Sequence, residues 1–216
     1  KGIQTGFQVY TLSIGDRTNR EVLDQYEKVF QEFNNLSFDH RWRIEHAQHI
    51  DPIDIPRFGQ LGVIASIQGI HMSSDRPWAI DRLGGKRITE GAYAWRDLIN
   101  SGAVLVNGSD VPVEPINPIA CFYASVSRKT LSGSPNNGYE PRQKMTRMEA
   151  LKSYTINAAY GAFEENIKGT LEIGKYADFT VFSQNIMTIP ENEILKTKVT
   201  HTIVCLLYTS PSPRDW

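Results

Sequence analysis

Two textures alternate along this chain: short runs of β-branched and aromatic residues, and longer stretches whose apolar positions recur every three to four residues. GFQVYTLSIG (residues 6–15) has the first texture and predicts a buried strand. TNREVLDQYEKVFQEFNN (18–35) has the second, with Val22, Leu23, Tyr26, Val29, Phe30 and Phe33 on one helical face. Thr18 and Glu21 are spaced as a capping box at its start. The alternation continues through RWRIEHA as a strand, DPIDIPRFGQLG as a short helix and VIASIQG as a strand. YAWRDLINSG then predicts a helix stopped at Gly102, AVLVNG a strand and IACFYASVSR a helix. A second capping box, Thr146 to Glu149, precedes ALKSYTINAAYGAF. Four strand–helix units in series imply an α/β fold with a parallel sheet.

After Phe163 the pattern changes. KGTLEIGKYADFTVFS has the glycines and alternation of short antiparallel strands rather than a further βα unit. A closed (β/α)₈ barrel takes about 250 residues, and four units make half of one. The expectation is therefore a partial barrel over residues 1–163 and part of a small β-sandwich over 164–204. The Ser/Pro-rich end, LLYTSPSPRDW, reads as a non-native tail over 205–216. A half-barrel leaves sheet edges open, so something else is expected to complete it.

Bulk properties narrow the function classes. The 216 residues are 40% hydrophobic with a formal net charge of −1, which gives no basic surplus for nucleic acid or anionic membrane. No apolar run reaches the roughly 20 residues of a membrane span. KGIQTGFQVY has neither an initiating Met nor a signal-peptide core and reads as an internal start; the cytoplasm is the expected compartment. Cys121 and Cys205 have no ligand-like spacing and are expected to be buried, unpaired residues.

The candidate chemistry lies at strand ends. RIEHAQH (43–49) puts His46 at the end of one predicted strand, ASIQGIH (65–71) delivers Gln68 and His71 after the next, and VNGSDVPVEP (106–115) places Asp110 after the last. In barrels of this type that rim carries the active site. Imidazole and carboxylate are ligands for a borderline metal such as zinc, and a carboxylate beside the metal can move a proton. Each residue taken singly has a plainer reading: His46 as a structural hydrogen-bonding group, Asp110 as a turn former. His40 and His49 are expected in solvent, and His201 outside any site. Glu45, next to His46 on a strand, should face the opposite way, which argues against a carboxylate-pair glycosidase built on Glu45 and Asp110.

IGDRTNREVLDQYE, RIEHAQHIDPIDIPRFGQLGVIASIQ, SSDRPWAIDRLG, GAYAWRDLINSGAVLVNGSDVPVEPINP and YTINAAYGAFEENIKGTLEIGKYADFTVF together resemble the amidohydrolase superfamily, most closely its family-3 (YtcJ-like) metal-dependent hydrolases. The resemblance spans about residues 7–204. It implies a metal-bearing (β/α)₈ barrel flanked by a small β-sandwich, and hydrolysis of a C–N bond, amide or N-acyl, in a small molecule. It makes His46 the metal ligand of the sixth barrel strand, Asp110 the eighth-strand residue that contacts metal and shuttles the proton, and Gln68 and His71 substrate-facing groups. The implied cofactor is a divalent metal, zinc by family expectation. The chain departs from the family in VYTLSIGDR, where Leu12 stands in place of the fifth-strand metal histidine beside Ser13. The first-strand HxH pair and the fourth-strand bridging group should lie upstream of Lys1. On this reading only His46 and Asp110 remain of the ligand set, and the chain alone should be inactive. The alternative is a degenerate, non-catalytic amidohydrolase-like domain that binds a small molecule or a protein.

Overall fold

The computed structural model describes residues 2–33 and 39–205. Four strands, β1 (Tyr10–Ser13), β2 (Arg43–His46), β3 (Ile64–Ile67) and β4 (Leu105–Asn107), form one all-parallel sheet in the order β1-β2-β3-β4. Each crossover therefore steps one strand over in the same direction. The connections carry α1 (Asp16–Glu32), α2 (Ile55–Leu61), and the pair α3 (Gly69–Gly91) and α4 (Trp95–Asn100). Beyond β4 lie α5 (Pro118–Ser127), α6 (Arg147–Tyr154) and α7 (Ile156–Gly161). A separate antiparallel ribbon pairs β5 (Phe179–Phe182) with β6 (Val199–Ile203). Among the described residues no helix is long and apolar enough to cross a membrane.

The register explains the core. Ile44, Ala65 and Leu105 lie side by side on one sheet face and are buried in one cluster with Leu23, Tyr26, Phe58, Trp95 and Leu98 from α1, α2 and α4. Each such fully buried large side chain contributes about 1.5–3 kcal/mol of transfer free energy. The opposite face is open at the β1 end. Tyr10 and Leu12 are 50% and 66% exposed, with the Arg43 guanidinium stacked 3.6 Å above the Tyr10 ring. The buried strand expected over residues 6–15 is thus only four residues long and half in solvent, because β1 is an edge strand.

Other expectations also need correcting. The Thr18–Glu21 capping box does not form: α1 starts earlier, after Gly15, with Asp16 in its first turn. Thr18 instead donates to the Gly15 carbonyl and Glu21 pairs with Arg17. The Thr146–Glu149 box is present with both of its hydrogen bonds. Residues 69–91 form α3, which passes through Pro77 and breaks at Gly84 (φ 76°, ψ 161°). Within that stretch and just past it, Tyr93 and Trp95 are core residues and Trp78 is exposed. His40 is not free in solvent: it stacks on Phe30 at 4.0 Å, accepts the Trp42 N–H and faces the Leu61 carbonyl. His49 is buried. Cys121 is buried as expected, whereas Cys205 is exposed; both are free. Of KGTLEIGKYADFTVFS only the FTVF portion is strand, and Leu171 and Ile173 are exposed. Residues 206–216, the greater part of the proposed tail, lie outside the described residues.

Candidate metal centre

Parallel strands bring their C-terminal ends to one edge, and in open α/β sheets ligands bind beyond that edge. His46 is the last residue of β2, Gln68 caps α3 just past β3, and Asp110 stands three residues past β4. His71 sits in the first turn of α3. His46 and Asp110 both hold left-handed backbone, at φ 71° and 60°, as does Ala47 at 40°. For residues with a Cβ this conformation is strained, by about 1–3 kcal/mol each, and such positions cluster at ligand sites.

Three of the four predicted residues converge. One ligand atom each from His46, His71 and Asp110 lie within 4.8 Å of one another. His71 Nε2 is 3.2 Å from Asp110 Oδ2, and the His46 and His71 rings are 5.6 Å apart at their centroids. Both histidines are buried, and Asp110 is partly so. His46 Nδ1 is buried with no hydrogen-bond partner. Two imidazoles and one carboxylate make a donor set suited to a borderline divalent ion, and an orphaned imidazole nitrogen beside them fits that use. The sequence reading counted two ligands; the fold brings His71 to the same point. Gln68 does not join the group. Its Nε2 donates to the Ser66 carbonyl at 3.4 Å and its Oε1 is buried without a partner.

Two residues escaped the sequence reading. Asp75 lies one helical turn beyond His71, and Glu114 lies one turn beyond Asp110 in a turn closed by bonds from the Val113 and Glu114 amides to the Asp110 carbonyl. His71 Nδ1 approaches Glu114 Oε1 at 3.5 Å and Asp75 Oδ2 at 3.9 Å. The signal was the acid at i+4 from two of the predicted site residues, His71 and Asp110. Among the described residues no lysine or arginine pairs with Asp75, Asp110 or Glu114. Three carboxylates thus face one imidazole with no lysine or arginine among the described residues in contact, an electrostatic setting that favours a positive ligand.

A buried polar scaffold stands behind the site. Gln48 donates to Tyr93 Oη at 3.0 Å and to Asp75 at 3.3 Å. Burial pushes the Tyr93 hydroxyl well above the ordinary tyrosine range. The Tyr93 carbonyl accepts from Arg128, which is fully buried and shares Glu140 with Arg76. Burial lowers Arg128 to about 10, partly offset by Glu140. Glu45 is tied to Arg43 in the same strand and takes no part. Leu12 pairs in register with Glu45, and Ser13 with His46.

Comparison with known proteins places the chain in a family. The sequence profile of the amidohydrolase family matches residues 3–205. The chain is 38% identical over 182 residues to Protein LONG AFTER FAR-RED 3 of Arabidopsis thaliana, covering 84% of this chain and 30% of that protein. It is 31% identical over 204 residues to the putative amidohydrolase YtcJ of Bacillus subtilis (strain 168), covering 94% of this chain and 37% of that one. The crystal structure of an uncharacterized metal-dependent hydrolase from Pyrococcus horikoshii OT3 superposes with a TM-score of 0.68 at 28% identity, covering 81% of this chain and 33% of that chain. The chain spans about a third of the length of the curated relatives it matches.

Proposed function

Because the chain belongs to the amidohydrolase family, we propose that it is the C-terminal portion of a metal-dependent hydrolase acting on a C–N bond, amide or N-acyl, in a small molecule. On this reading residues 1–163 supply the second half of a (β/α)₈ barrel and residues 164–204 part of a flanking β-sandwich. The one-way strand order β1-β2-β3-β4 supports a barrel arc, since a doubly wound sheet reverses direction. The observation that carries the proposal is the convergence of His46, His71 and Asp110 beyond the strand ends.

His46, His71 and Asp110 would hold the divalent metal, with zinc the ion we expect. When bound, the metal polarises the substrate carbonyl and makes a water acidic enough to act as nucleophile near neutral pH. Asp110 takes the proton of the attacking water and returns it to the leaving nitrogen, as a carboxylate within reach of both can. Gln68, with an unused acceptor at the α3 cap, faces the substrate side of the rim. Leu12 offers no lone pair, and the chain alone is a cation-binding half-site without turnover. The parent polypeptide, carrying the preceding half, would hydrolyse N-acyl or amide substrates.

The test is a panel of N-acyl and amide substrates offered to both polypeptides, with and without chelator. Turnover by the parent alone, lost on chelation and in Asp110→Asn, is expected. Chelator-resistant turnover would refute metal dependence. Equal turnover by the 216-residue chain would refute the half-site reading.

A further inference from the structure

We propose that Glu114 is the positioning carboxylate of His71, fixing the imidazole so that Nε2 faces the cation site. The inference rests on the metal-centre reading above and assigns Glu114 a role within it.

The geometry follows from two turns. Asp110 and Glu114 are four residues apart in one turn after β4, closed by bonds from the Val113 and Glu114 amides to the Asp110 carbonyl. The His71 ring stands between them, with Nε2 3.2 Å from Asp110 and Nδ1 3.5 Å from Glu114. Glu114 is itself held, accepting a short hydrogen bond from Ser74 Oγ, three residues beyond His71 on α3. Asp75 also faces Nδ1, but from 3.9 Å, and is bonded elsewhere to Gln48. The other titratable groups of the site are His46 and Asp110, on the Nε2 side.

An imidazole that donates Nδ1–H to a carboxylate keeps its Nε2 lone pair free, and ligating histidines are commonly oriented in this way. His46 makes a useful contrast, because its Nδ1 has no partner at all. Of the two imidazoles, only His71 has its ring direction set by an outer group. Closing the Nδ1 to Glu114 approach by a few tenths of an ångström makes it a full hydrogen bond.

Titration of the 216-residue chain with Co²⁺, followed by the visible absorption of the bound ion, tests this. Without the ion, Nε2–H donates to Asp110, and the ion takes the place of that proton, which leaves Nδ1–H facing Glu114. Binding should weaken about 10- to 100-fold in Glu114→Ala, at an unchanged thermal midpoint, and recover in Glu114→Gln, whose amide oxygen still accepts. Unchanged Co²⁺ affinity in Glu114→Ala overturns the assignment, as does the same loss produced by Asp75→Asn instead. Failure of wild type to bind Co²⁺ would overturn the metal-centre reading and the role of Glu114 with it.

Discussion

Gly69→Ala tests how the fold sets the site. Gly69 opens α3 where that helix crosses α5, and its N–H donates to Asn107 Oδ1 at 3.0 Å. A Cβ at this position would stand 2.3 Å from Ser125 Oγ and 2.7 Å from the Cys121 carbonyl. Ordinary contact begins near 3.4 Å, so the shortfalls are about 1.1 and 0.7 Å. The hydroxyl cannot swing away freely, because Ser125 accepts from Asn107 and donates to the Cys121 carbonyl. The helices must separate, and overpacking of this kind costs about 1–3 kcal/mol. With a urea slope of about 2 kcal/mol/M, the unfolding midpoint should fall by about 1 M. His71 lies two residues further on, so its alignment with Asp110 should suffer and Co²⁺ binding weaken. Adding Ser125→Ala should recover only part of the stability, since the Cys121 carbonyl stays in the way. An unchanged urea midpoint together with unchanged Co²⁺ affinity would refute the reasoning.

Further expectations concern the scaffold. Glu140→Ala leaves the fully buried Arg128 without its carboxylate and should destabilise by about 3–5 kcal/mol in urea unfolding. His49, held by burial at about 4 against an ordinary 6.5, stays neutral in the fold while the unfolded chain takes a proton. Stability is therefore complete above pH 6.5 and falls as pH drops toward 4, by up to about 3 kcal/mol. Asp16, Arg87 and Arg76 are the charged groups that act on His49, and denaturation of His49→Gln across this window should show a flatter slope. Thr146→Ala removes the N-cap of α6 and should cost about 1 kcal/mol by the same assay.

Much of the sheet was legible because its strands carry short β-branched runs and its connections carry helical periodicity. Ile64–Ile67 is buried at every position, as a central parallel strand should be. The misreadings have physical causes. Pro77 and the Gly84–Gly85 pair carry breaker signals; the helical geometry does break at Gly84, whereas packing of Ile70, Met72 and Ala79 carries α3 through Pro77. β1 looked buried because its run is rich in aromatic and β-branched residues, yet an edge strand buries only what its neighbours cover. His46 and Asp110 could be picked out as strand-end groups. The approach of His71 to both depends on where α3 starts, which no local pattern encodes. Asp75 and Glu114 escaped notice because nothing local in the sequence sets the two turns face to face.

The most direct test of the central claim is equilibrium dialysis of the 216-residue chain against Zn²⁺, with His46→Ala and Asp110→Asn in parallel. The account predicts one ion per chain, bound at least about tenfold more weakly by each variant. No bound ion, or an affinity indifferent to both substitutions, would contradict it.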